Sequence, residues 1–279
     1  MWIGRIEHSA GAPAKKGTPP ASGLRVASES GTEAPLNIGL WRDSENQAKA
    51  EIVRDIAFVR FEVCPICLTP DPDTLEHVPH GAIGGQVQTL TCARCNNQLG
   101  RFEAELTRWC FGELVNVRAE ADVVVGRRRI PRVLLRWTGD GQFVLIVDGR
   151  ADPAFRDMLQ SGEFSLHISP PNPRRYRLAA LKHAYLAACC QLGAIPTSAS
   201  AAEVRADLVA ARDASGVGNV PESQRASSLR IMRSAAGPQG PALALARLTA
   251  EDARDAVWIS LAGSLLVDWP LPDVSPDAA

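Results

Sequence analysis

The chain has 279 residues, 46% of them hydrophobic, with a formal net charge of −1 and seven cysteines. That size and apolar content allow one large domain or two modest ones and exclude a wholly disordered chain, while the near-neutral charge leaves any nucleic-acid binding to local clusters. No apolar run approaches the roughly 18 to 20 residues of a membrane span, and no signal-peptide pattern opens the chain, so a cytoplasmic setting with reduced thiols and no membrane partner is expected.

Residues 1–43 are rich in Gly, Pro, Ala and Ser and lack apolar periodicity, which predicts a disordered tail. Ser44-Glu45-Asn46-Gln47 reads as a capping box that opens a helix toward Phe58, with Ala48, Ile52, Ile56 and Val59 on one side. An extended stretch at 61–63 leads into the first cysteine pair. A turn at 70–73, a strand over 74–78, a Gly-rich loop at 81–85 and a strand over 88–91 follow. Cys95, Leu99, Phe102, Leu106 and Trp109 have helical spacing.

Beyond that helix, runs at 123–125, 133–137, 143–147 and 164–168 read as strands. Thr138-Gly139-Asp140-Gly141 joins the middle two as a hairpin. Residues 177–192 and 202–214 read as helices, 215–243 as a loop and 257–267 as a final strand-like run. Two basic clusters stand out: Arg127, Arg128, Arg129, Arg132 and Arg136, then Arg174, Arg175, Arg177 and Lys182. Either one is suited to phosphate contacts or to an ordinary solvated face.

The densest chemistry lies between 64 and 97. Cys64-Pro-Ile-Cys67 and Cys92-Ala-Arg-Cys95 are two knuckles whose four thiolates suit one closed tetrahedral Zn²⁺ site. The 24 residues between them exceed the usual zinc-finger spacer and carry Glu76-His77. Asn96-Asn97 follows directly.

Glu76-His77-Val78-Pro79, Gly84-Gly85, Thr89-Leu90-Thr91-Cys92 and Cys95-Asn96-Asn97 with Gly100 together resemble the HNH endonuclease superfamily, in its zinc-stapled bacterial branch. The helix with Leu181-Lys182-His183-Ala184-Tyr185-Leu186 resembles, less specifically, a segment that follows in such proteins. The resemblance implies an α+β fold in which a ββα-metal unit with structural zinc is joined to a β-hairpin and helix region. It also implies a domain plan of tail (1–43), HNH nuclease domain (44–112) and α+β C-terminal region (113–279).

By the same resemblance the chain would be a metal-dependent endonuclease acting on DNA, with RNA as the alternative substrate. His77 would be the general base, Glu76 and Asn96 the ligands of a catalytic Mg²⁺ or Mn²⁺, and Cys64, Cys67, Cys92 and Cys95 the zinc ligands. An imidazole suits the removal of a proton from water. The middle asparagine of the pattern falls near Val87 to Thr89, where only Gln88 or Thr89 is polar. That departure supports an alternative, a catalytically inactive zinc-stapled module that binds nucleic acid.

Overall fold

In a computed structural model the described residues are 2–5, 24–25, 41–42, 47–48, 50–116, 118–119, 132–139, 142–147, 164–166, 171–216, 219–234, 243–248 and 256–277. The fold is α+β, with helices and antiparallel sheets. The chain divides into two compact units, each assembled from two stretches of sequence: Met1–Leu36 with Phe111–Pro171, and Asn37–Cys110 with Asn172–Ala279. Of the first 43 residues, read as a tail, the structure describes short strands at Trp2–Arg5, Leu24–Arg25 and Trp41–Arg42.

In the first unit, Arg132–Gly139 and Gln142–Val147 pair antiparallel as the hairpin sequence requires, with Trp137 opposite Phe143. Trp2–Arg5 and Glu113–Asn116 extend that sheet on either side. Phe164–Leu166 lies between two further short strands. The strand expected at 123–125 and the arginines at 127–129 lie outside the described residues.

The second unit carries the chemistry. Its strands are β1 (Trp41–Arg42), β2 (Gln47–Ala48), β3 (Ala50–Asp55), β4 (Thr74–Val78), β5 (Gln86–Thr91), β6 (Ile231–Ser234), β7 (Leu243–Leu248), β8 (Val257–Leu261) and β9 (Leu265–Asp268). Its helices are α1 (Ala93–Phe111), α2 (Pro173–Leu192), α3 (Ala199–Asp213) and the short α4 (Gln224–Ser228). Seven strands form one sheet in the order β2-β1-β6-β9-β8-β7-β3, while β4 and β5 form a separate hairpin.

Helix α2 organises the core. Every residue from Leu178 to Gln191 is buried, the pattern of a helix surrounded on all sides. Asn172 caps its start by accepting from the Arg175 amide at 3.3 Å, and Pro173 opens the first turn. It packs on β4 and β5, on α3 and α4, and on β8 and β9. Helix α1 is fastened beside it: Trp109 stacks on Tyr176 with ring centroids 5.0 Å apart, and Glu105 accepts from the Asn172 amide at 2.9 Å.

Three expectations are corrected. The helix expected from Ser44 toward Phe58 is strand, with β3 pairing β7 antiparallel and the Ile56 amide bonding the Leu243 carbonyl at 2.9 Å. Ile52 and Val53 are exposed on that edge strand while Ile56 is buried, so a partner strand nearly 200 residues away overrides the local helical pattern. The run at 257–267 is two strands, β8 and β9, reversed at Ala262-Gly263, both with positive φ as a tight hairpin turn requires. The loop expected over 215–243 contains α4 and β6, and β6 bridges β1 and β9.

Candidate metal centre and hairpin site

The first cysteine pair sits in a tight turn. Backbone bonds from Leu68 to the Cys64 carbonyl and from Cys64 to the Thr69 carbonyl, both 2.8 Å, close it. Tyr185 on α2 donates its hydroxyl proton to the Pro65 carbonyl at 3.1 Å, which anchors that turn to the core. Cys92 immediately precedes α1 and its sulfur faces the Cys95 amide at 3.5 Å, so the second pair is formed by the first turn of a helix.

The four sulfurs lie within 4.8 Å of one another, with Cys67 and Cys92 at 3.5 Å. Tetrahedral Zn²⁺ with bonds of ~2.3 Å places its sulfurs about 3.8 Å apart. Cys64, Cys67, Cys92 and Cys95 are therefore positioned to hold one metal ion. Cys64 is drawn down to about 4, first by the Cys95 thiol, and Cys95 is pushed up in return. Arg212 reaches Cys95 Sγ at 3.4 Å and is itself bound to Asp213, which places positive charge beside a thiolate cluster.

The hairpin β4–β5 leads directly into this helix, so the order is strand, loop, strand, helix. Along β4, Glu76 and Val78 are buried while Leu75 and His77 are exposed, the alternation of a strand with one covered face. Glu76 pairs with Thr89 but His77 pairs with Val87, so a bulge falls between them and leaves Gln88 unpaired. Asn96, in the first turn of α1, donates from Nδ2 to the Leu75 carbonyl at 3.0 Å and so ties the helix to β4. Asn97 is exposed.

The loop between the strands is fixed by a close backbone approach. A Cβ at Gly85 would run into the Pro79 carbonyl. Gly85→Ala is expected to cost about 1 to 3 kcal/mol through overpacking and to shift the loop bearing His80; urea unfolding with unchanged midpoint would show that the approach is not needed.

On the covered face, sequence reading missed the main feature. Lys182 of α2, fully buried, donates to Glu76 Oε1 at 2.9 Å and to Glu103 Oε1 at 2.7 Å. Thr91 donates its hydroxyl proton to Glu76 Oε2 at 3.2 Å. His183 Nε2 lies 3.4 Å from Glu103 Oε1 and His80 Nε2 lies 3.6 Å from Glu103 Oε2. Glu103 was detectable in principle, because it sits between Leu99 and Leu106 on the buried side of α1. Lys182-His183 was equally visible as two polar residues inside an apolar run.

These groups shift one another. Burial pushes Glu76 up, and the Lys182 ammonium only partly offsets it. For Glu103 burial also pushes upward, but the cationic form of His183 and the Lys182 ammonium outweigh it and hold the carboxyl below its ordinary 4.5; with His183 neutral at pH 7, Lys182 is the cation that acts there. Burial first, with Lys182 and His80 adding to it against the opposing Glu103 carboxylate, drives His183 down to about 3, which leaves it neutral at pH 7. Lys182 is held above its ordinary 10.5 because the two carboxylates outweigh its burial.

A pH dependence follows. With a depressed folded pKa, the stability that Glu103 contributes is present above 4.5 and lost as pH falls through the lowered value. The stability gap between wild type and Glu103→Gln should stay level from pH 7 to about 5 and shrink at lower pH. A gap that widens on acidification would mean that Glu103 is not the ionised partner.

The second arginine cluster is not an open phosphate-binding face. Lys182 is buried in its ion pairs, Arg177 Nη1 donates to the carbonyls of Ala226, Ser227 and Leu229, and Arg175 lies 3.7 Å from Glu105. Only Arg174 remains well exposed, 3.7 Å from Glu222. Among the described residues no helix is long and apolar enough to cross a membrane. Comparison with protein-family models, curated proteins and solved structures finds no match to this chain.

Proposed function

We propose that residues 61–110 are a zinc-stapled unit of HNH type that acts on phosphodiester bonds of nucleic acid, DNA in the first instance, with His77 as the proton acceptor. The observation that carries this reading is the placement of an exposed histidine on a β-hairpin tied by Asn96 to the first turn of a helix with a four-cysteine cluster at its root. Zn²⁺ is the ion that an all-thiolate tetrahedral set favours, and its role there is structural. Reduced cysteines of this kind suit the cytoplasm.

The second ion that the resemblance implies, Mg²⁺ or Mn²⁺ on Glu76 and Asn96, does not fit these residues as they stand. Both Glu76 oxygens are engaged, by Lys182 and by Thr91, on the face opposite His77. Asn96 donates through Nδ2 to the Leu75 carbonyl, which engages its nitrogen and not the Oδ1 that a cation would take, so the misfit rests on Glu76. What the chain's own residues supply is a positioned imidazole on the exposed side and a fixed strand beneath it. An imidazole there takes a proton from an attacking water, a contribution of about 10² to 10⁴ in rate.

The commitment of Glu76 to Lys182 favours a second reading, in which the unit binds nucleic acid without cutting it. Incubation with supercoiled plasmid in Mg²⁺ or Mn²⁺, with His77→Ala as control, separates the two. Nicking that His77→Ala lowers supports the nuclease, whereas salt-dependent binding without nicking supports the silent module. Neither cleavage nor binding would remove nucleic acid from consideration altogether.

A further inference from the structure

The polar cluster on the covered side of the hairpin has the composition of a metal site but a lysine at its centre. Glu76, Glu103 and His183 each place one ligand atom within 4.8 Å of the others. Nζ of Lys182 stands 2.9 Å from one carboxylate oxygen and 2.7 Å from the other. His183 is completely buried, and neither of its ring nitrogens makes a hydrogen bond, although Nε2 faces Glu103 Oε1 at 3.4 Å. A buried imidazole without a hydrogen bond is rare and costly. Here it points its unused nitrogen at a carboxylate that a cation already holds.

We propose that Lys182 is a built-in cation standing where a divalent ion would bind, and that Glu76, Glu103 and His183 are a latent ligand set for a borderline transition metal, closed to it only by that ammonium. Two carboxylates and one neutral imidazole form an oxygen and nitrogen donor set of the kind that takes Zn²⁺ or Co²⁺ and prefers them to Mg²⁺. With Lys182 in place the cluster carries two carboxylates against one ammonium. Removing the lysine leaves two carboxylates unopposed in a buried space, a state that a divalent ion relieves by neutralising both charges and filling the free nitrogen of His183. The site is separate from the four-cysteine cluster, and the inference stands whether or not His77 cleaves nucleic acid. It accounts for the misfit of Glu76 as a ligand of an outer ion, because its charge is already answered from inside.

The test compares zinc-loaded wild type, Lys182→Met and Lys182→Met/His183→Ala in a Co²⁺ titration, read by elemental analysis and visible absorption. Wild type is expected to take up no Co²⁺ beyond the cysteine cluster. Lys182→Met should bind one further equivalent, with ligand-field bands that lack the intense thiolate-to-cobalt absorption of a cysteine site, and the double variant should lose it. If Lys182→Met is unfolded without metal, Co²⁺ should restore its native far-ultraviolet circular dichroism, and should fail to do so in the double variant. Uptake of a second equivalent by wild type, or no added uptake or refolding by Lys182→Met, overturns the proposal.

Discussion

Removing the metal from the four-cysteine cluster is expected to unfold residues 61–110 locally and to leave the protein prone to aggregation. The ligands come from a turn at 64–67 and from the start of α1, and structural zinc supplies apparent folding free energies of about 10 to 16 kcal/mol in small units of this kind. Cys64→Ser and Cys92→Ser should act like prolonged chelation, because each deletes a thiolate and leaves an incomplete shell. Tyr185 holds the Pro65 carbonyl, but a neutral hydrogen bond contributes only about 1 kcal/mol and cannot replace the ion. One equivalent of zinc by elemental analysis, and loss of amide-exchange protection over 61–110 on chelation, are the expected readings. A folded, reduced protein without zinc and with that protection intact would dispose of the staple.

Glu103→Ala should be the most damaging single change outside the cysteines, with a loss of about 3 to 5 kcal/mol in urea unfolding, because it takes one partner from a buried ion pair and leaves the rest. Lys182 would keep only Glu76, which burial already pushes up, and His183 would lose the carboxylate it faces at 3.4 Å. Thr91→Val is the internal comparison. It removes one hydroxyl that donates to Glu76 and should cost about 1 kcal/mol. Near-equal losses for the two variants would show that the ammonium and carboxylates are not a coupled unit. The same principle warns against reading the pair as a net source of stability, since replacing all its members by apolar side chains of similar volume is often neutral.

What was legible in the sequence was what local spacing determines. The two CxxC pairs, the strands around Glu76-His77 and the helix after Cys92 all follow from turns and periodicities within a few residues, and the structure brings the four sulfurs together. The hairpin at 132–147 was legible for the same reason. The errors share the opposite cause: β3 becomes a strand because β7 arrives beside it, and β6 is placed by β1 and β9, contacts that no local window contains. At the site, spacing put His77 and Glu76 side by side, but strand alternation sends one outward and the other inward. Lys182 read as part of a basic cluster because sequence gives no sign that α2 runs beneath β4; its burial among apolar neighbours was the one clue. The chain thus displays its ligands for one ion openly and hides the counter-charge of Glu76 more than 100 residues away.

The nuclease reading meets its most direct test at His77. Wild type and His77→Ala, purified in parallel and matched for zinc content, circular dichroism and DNA affinity, should be compared for nicking of supercoiled plasmid in Mg²⁺ and in Mn²⁺. His77 is exposed and is not among the residues positioned to hold the structural ion, so its removal should leave folding and metal content intact. The expected result is nicking by wild type that falls about 10² to 10⁴-fold in the variant. Equal nicking by the two proteins, or none by either, would contradict it.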